Sequence, residues 1–234
     1  MGTCYLVLWL EAPLQSWGVD SKFNRRDTLQ FPTKSGVYGL ILSALGASGP
    51  QRELLARLAP MPLTVYRYGP INGDHTTFLA DFHMVGSGYD EKNKWENFMI
   101  PKKIDGSKAV GAGTKLTYRY YLQDAYFGCI IEIQDRGLAD RIGQALEEPV
   151  YDPYLGRRCC VPSDKIWRGC YNSFQEAKEQ LERIATEKGL SSVFYVIEGN
   201  LPEQGNVWLL NDVPIQFGEH KVYRDRWVTI VPVG

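Results

Sequence analysis

The chain has 234 residues, 44% hydrophobic and 23% charged, with a formal net charge of −1. That is apolar material enough for one large globular domain, and it excludes a fibrous, low-complexity or uniformly basic chain. Five cysteines (Cys4, Cys129, Cys159, Cys160, Cys170) and three histidines (His75, His83, His220) show neither zinc-finger spacing nor a disulfide framework, so free thiols in a reducing cytoplasm are expected.

Residues 4–10, CYLVLWL, form a continuous apolar run that predicts a strand buried on both faces. The run is too short for a membrane span, and no basic region precedes it as in a signal peptide. Residues 11–32, with Pro13, Gly18, Asn24 and Pro32, read as an irregular loop carrying Lys22, Arg25 and Arg26. A helix follows, with Thr33 as N-cap and Val37, Leu40, Ile41, Ala44 and Leu45 at helical spacing. Leu54, Leu55 and Leu58 mark a short second helix, and residues 63–69 the next strand.

Residues 76–85 predict a strand, and residues 116–134 one or two more. Between them lies a polar stretch with Gly86, Gly88, Asn93, Gly106, Gly111 and Gly113 and no helical period. Two strands bracketing such a stretch suggest a projecting hairpin; a disordered loop is the alternative. Helices are expected over 136–147 and 173–188, separated by a turn-rich connection. The end reads as strands at 191–199, 206–210, 213–217 and 223–231. The whole is α+β, with a split-βαβ order followed by a small β-rich part.

Charge is segregated along the chain. Residues 22–34, 99–121 and 157–168 hold 13 of the 26 basic residues and only 3 of the 27 acidic ones. Such segregation suits a few surfaces that meet a polyanion, or equally a set of solvated loops.

Several residues carry candidate chemistry. The helix start at Lys34, Ser35 and Gly36 offers unpaired N–H groups, a cation and close backbone approach to a phosphate, unless its glycines only serve packing. Arg157 and Arg158 form a compact pair suited to phosphates or splayed bases, or else a solvated turn. Trp17, near Gln15, is either a stacking platform or a lid on the core. Arg119 and Tyr121 share one strand face and favour RNA, which leaves Tyr118 and Tyr120 for the core. Lys115 adds a cation beside them. Residues 111–115, GAGTK, lack the order of a phosphate loop. His83 is a strand histidine with no adjacent lysine, so a structural role competes with one in RNA cleavage alongside Tyr38.

Four stretches together resemble the CasD family, the subunits of type I-E CRISPR Cascade complexes in the RAMP superfamily that bind the guide's 5′ handle. They are Leu10-Glu11-Ala12-Pro13-Leu14-Gln15-Ser16-Trp17-Gly18, Phe31-Pro32-Thr33-Lys34-Ser35-Gly36-Val37-Tyr38-Gly39-Leu40, Tyr151-Asp152-Pro153-Tyr154-Leu155-Gly156-Arg157-Arg158-Cys159 and Tyr223-Arg224-Asp225-Arg226-Trp227. Residues 86–116 match the family less well. The resemblance implies an RRM-like (ferredoxin-like) body over residues 1–190, with a β-hairpin thumb at about 83–120. Residues 191–234 would be a β-rich segment packed on the same domain. It implies a non-catalytic subunit that grips the CRISPR guide RNA by its 5′ handle, caps the backbone filament and kinks the guide with its thumb. Neighbours would be the Cascade backbone subunit and the large subunit, with target DNA met only indirectly, no membrane and no cofactor. Some relatives cut repeat RNA without metal, so a repeat-processing endoribonuclease is the alternative.

Overall fold

The computed structural model describes residues 2–18, 24–71, 77–85, 90, 92–100, 102–109 and 115–233. In chain order the elements are β1 (Cys4–Gln15), β2 (Arg25–Arg26), α1 (Lys34–Ala44), α2 (Arg52–Leu58), β3 (Leu63–Pro70), β4 (Thr77–Val85) and α3 (Lys94–Met99). There follow β5 (Lys115–Ile133), α4 (Arg136–Glu147), β6 (Trp167–Tyr171), α5 (Phe174–Glu187), β7 (Leu190–Glu198), β8 (Asn206–Gln216) and β9 (Val222–Pro232). The fold is α+β, built on one large antiparallel sheet. No helix among the described residues is long and apolar enough to cross a membrane.

The strands lie in the order β6-β1-β5-β3-β7-β9-β8, each antiparallel to its neighbours. β1 and β3 flank β5 and so run parallel to each other, joined by a crossover through α1 and α2. The apolar run of β1 follows from its place, because both faces are covered. Leu6, Leu8 and Leu10 enter a core shared with α1, α2 and α4. Val7 and Trp9 enter a second core under α5, with Leu181, Ile184, Tyr66 and Tyr68. Gly128 of β5 leaves room for Leu181, whose Cδ2 would lie 2.6 Å from an added Cβ.

Residues 115–133 form one strand that serves two structures. Its first half pairs with β4 as a hairpin, from Thr77↔Gln123 to Val85↔Lys115. Its second half pairs with β1 and β3 in the body. The change comes at Asp124, whose φ is 47°. Pro13 lies opposite, between the pairs Ala12↔Ala125 and Leu14↔Gln123, and a proline cannot donate to the ladder there.

Four expectations are corrected. The stretch 11–32, read as an irregular loop, holds the end of β1, which pairs with β5 as far as Gln15, and the short strand β2. The stretch read as lacking helical period contains α3, capped by Asn93, whose Oδ1 accepts from Trp95 N at 3.0 Å. Asn93 and Glu96 form a capping pair, a signal hidden by the surrounding polar residues. β6 was not foreseen, because WRGCY is short and half-buried. The stretches 206–210 and 213–217 are one strand, β8, with a register shift between Asn211 and Val213.

Candidate nucleic-acid interface

Four sequence stretches far apart in the chain meet at one cleft of about 470 Å³. Ser16 and Trp17 come from the end of β1, Ser35 and Gly36 from the start of α1, Tyr154 and Gly156 from the turn before β6, and Tyr223 from β9. Lys221 supplies a cation. Local geometry draws the turn in. Ser16 N donates to Leu155 O at 3.1 Å, and Leu155 N to Cys160 O at 2.8 Å. Gly156 has φ +92°, and a Cβ there would lie 1.6 Å from Ser16 O. Only glycine fits this approach. A second cavity, of about 780 Å³, shares the wall of Ser43, Tyr151 and Tyr154 and brings in Arg158. Hydroxyls, aromatic rings and two cations around adjoining concavities of nucleotide size suit an unpaired nucleic-acid strand.

The helix start is not an open phosphate site, which corrects the reading of Lys34. The Asp212 carboxylate already sits there and accepts Lys34 N at 2.7 Å. Thr33 Oγ1 accepts Gly36 N at 3.2 Å. The helix dipole thus favours a resident carboxylate. Lys34 itself is buried, its ammonium 2.8 Å from Glu198 Oε1. Arg226 completes the cluster, with 2.7 Å and 2.9 Å bonds to Asp212 and 2.9 Å to Glu198. Burial lowers the Lys34 pKa despite the pull of Glu198. Two cations and two carboxylates make this cluster neutral, and it ties α1 to β7, β8 and β9. Ser35 lines the cleft, half-buried.

Gln15 and Trp17 are also internal. Gln15 Nε2 donates to Ala125 O at 2.6 Å and to Leu10 O at 3.2 Å, while its Oε1 accepts from Trp17 Nε1 at 3.1 Å. The Trp17 ring is 1% exposed. It lies 2.8 Å from where a Gly36 Cβ would be, so Gly36 admits the indole rather than RNA. Trp17 is the lid on the core and forms the cleft wall from behind.

The assignment of the β5 faces is reversed. Tyr121 is 3% exposed, covered by the Arg157 guanidinium 4.6 Å from its ring centroid. Cys159 Sγ lies 3.6 Å from the Tyr121 hydroxyl. Tyr118, expected in the core, is 44% exposed. Tyr121 stands where the hairpin joins the body, and the turn closes over it. Arg157 Nη2 also donates to Arg26 O at 2.9 Å, while its Nη1 is buried with no partner among the described residues. Arg158 remains exposed.

Arg25 is exposed, bonded to Asp27 at 2.8 Å and lying 4.7 Å over Tyr120. Arg26, also exposed, pairs in register with Arg119, and Arg119 stands opposite Asp81. Lys115 opens β5 opposite Val85; its side chain lies outside the described residues, as do Lys22 and residues 111–114. His83 bonds to Asp81 on the hairpin. Tyr38 is fully buried, its hydroxyl donating to Met61 O at 3.1 Å, and burial pushes its pKa far up. Neither lines the cleft. Sequence reasoning missed Ser16, Tyr154 and Tyr223 as lining residues although they stand in the quoted motifs. Phe217 and Lys221 carried no signal.

The family model described as "CRISPR-associated protein (Cas_Cas5)" matches residues 5–229. The chain is similar to the CRISPR system Cascade subunit CasD of Escherichia coli (strain K12), 28% identical over 171 residues that cover 70% of each protein. A solved chain from a CRISPR RNA-guided surveillance complex superposes with a TM-score of 0.70 at 27% identity, over 98% of this chain and 90% of that one. Another, described as a Cas protein, shares the fold with a TM-score of 0.61 at 24% identity, over 97% and 95% of the two chains.

Proposed function

We infer the role of this chain from its family: it belongs to the Cas5 family of CRISPR-associated proteins. On that premise we propose a non-catalytic RNA-binding subunit of a Cascade-type CRISPR surveillance complex, holding the 5′ handle of the guide RNA. The observation that carries the reading is the convergence of four separated motifs on one nucleotide-sized cleft. Similarity to the Cascade subunit and to a surveillance-complex chain supports the assembly. The guide RNA would meet Lys221, Ser35 and Tyr154 in the cleft and Arg158 beside it. The complex's backbone and large subunits would be neighbours, target DNA would be met indirectly, and the setting would be the cytoplasm.

The body is read as RRM-like over residues 1–190. Supporting this, β1, β3, β5 and β6 lie in the order β6-β1-β5-β3, which is 4-1-3-2 when these four are numbered along the chain. The β4–β5 hairpin, paired from Thr77↔Gln123 to Val85↔Lys115 and so wider than the expected 83–120, is the thumb that kinks the guide, and residues 191–234 pack as a β-rich extension.

The test is binding and cleavage of labelled repeat RNA by the purified chain in EDTA. Binding without cleavage is expected, weakening steeply with salt. Lys221→Ala and Arg158→Ala should each lower affinity several-fold and reduce the salt slope by about one. Unchanged affinity in both, at unchanged melting temperature, overturns the cleft assignment. A discrete product abolished by His83→Ala establishes the endoribonuclease instead.

A further inference from the structure

β4 is an edge strand. Its inner side pairs with β5 over nine consecutive residues without a register shift, and its outer side meets no strand among the described residues. Natural proteins guard such edges with lysine, proline, bulges or very short strands. The sequence TFLADFHMV contains neither lysine nor proline and forms no bulge.

The strand is also one-sided. Directly opposite residues of an antiparallel pair share a face, so Phe78, Ala80, Phe82 and Met84 line up with Leu122, Tyr120, Tyr118 and Leu116. Phe82 is 51% exposed and Met84 63%. The rings of Phe82 and Tyr118 pack together, centroids 5.1 Å apart. Asp81, His83 and Arg119 occupy the other face, half-buried. A solvent-facing apolar strip therefore runs along an unpaired backbone edge.

We propose that the outer edge of β4 receives a strand from another protein chain, an extended segment apolar at every second residue that covers Phe82 and Met84. Such a strand supplies both things the edge lacks, a hydrogen-bonding backbone and apolar cover. A nucleic acid fits poorly, because it seeks cations among stacking rings. The four β4 residues of the strip carry no charge, Arg119 is on the other face, and Arg25, which lies over Tyr120 on the strip's side, is already paired with Asp27. A second copy of this chain fits poorly too. Full-length antiparallel self-pairing of β4 sets Asp81 against Asp81, and like charges directly opposite are destabilising.

The test uses the full chain and a labelled nonapeptide alternating valine and threonine, with lysine at its ends. In a strand, the valine N–H groups point to one edge and the threonine N–H groups to the other. Of two copies, N-methylated on the valines or on the threonines, one should lose at least tenfold in affinity while the other is spared. Phe82→Lys with Met84→Lys should lose at least tenfold while the chain stays folded, since both side chains are exposed and little beyond the Phe82–Tyr118 ring contact is given up. Equal binding of the two methylated copies, or no saturable binding of the parent peptide, overturns the proposal. So does single-stranded RNA that displaces the peptide and itself depends on Phe82 and Met84. A dimer seen by light scattering and broken by the double lysine variant makes the occupant a second copy, against the proposal.

Discussion

Arg226 holds Asp212 with two hydrogen bonds, 2.7 Å and 2.9 Å long, and the same carboxylate caps the first N–H of α1. Removing one partner leaves an uncompensated buried charge, which costs roughly 3–5 kcal/mol. Asp212→Ala is therefore expected to lower the unfolding free energy by that much, read from urea denaturation. It should do so even where RNA is absent, which separates a structural role from an RNA contact.

Lys34 gives this cluster a pH dependence. Its folded pKa lies below the ordinary 10.5, mainly through desolvation. Between that lowered value and 10.5 the unfolded chain binds the extra proton, so stability contributed by this group rises with pH in that window and not below it. Wild type should gain on Lys34→Met as pH climbs through the range. Denaturation of both proteins from pH 8 to 10.5 checks the sign, and a difference that stays flat or shrinks removes the assignment.

Trp17 is core rather than a stacking platform. Trp17→Ala should cost about 3–5 kcal/mol of stability, the usual penalty for emptying a buried aromatic site. Calorimetry of the free protein reads this directly. A neutral change in melting temperature with a selective loss of RNA binding would contradict it.

Gly156→Ala should undock the turn from Ser16. The positive φ alone costs about 1–3 kcal/mol for a side chain, and the 1.6 Å approach to Ser16 O adds a clash that only backbone movement relieves. Lowered stability together with lost RNA affinity is expected. Retained affinity in a well-folded variant would separate the turn from the cleft.

The exposed face of α3 gives the opposite expectation. Trp95, Phe98 and Met99 are 73–80% exposed, so serine at all three should change unfolding free energy by no more than about 0.5 kcal/mol per site. A larger loss would mean that the helix is held by these side chains and not by its Asn93 cap and buried Ile100.

Much of the fold was legible because local pattern and tertiary role agree. Helical spacing marked α1, α4 and α5, and Thr33 caps α1 as its position predicts. β1 reads as doubly buried because helices cover both its faces. The site was less legible. Lys34 and Gly36 carry residue types suited to phosphate, yet what decides their role is Asp212, some 178 residues away. Glu198 and Arg226 are equally remote, and no local spacing announces that four charges from α1, β7, β8 and β9 will neutralise one another. Tyr118 and Tyr121 misled for a related reason. Alternation separates the two faces of a strand, but which face is covered depended on the distant Arg157 turn.

β5 runs without a break from the hairpin into the centre of the sheet, with the positive φ of Asp124 between its two halves. A load at the hairpin therefore passes along continuous backbone to the half of β5 that pairs with both β1 and β3. Whatever seats itself on the hairpin pulls on the middle of the body, so a contact far from the cleft has a mechanical route to the residues that wall it.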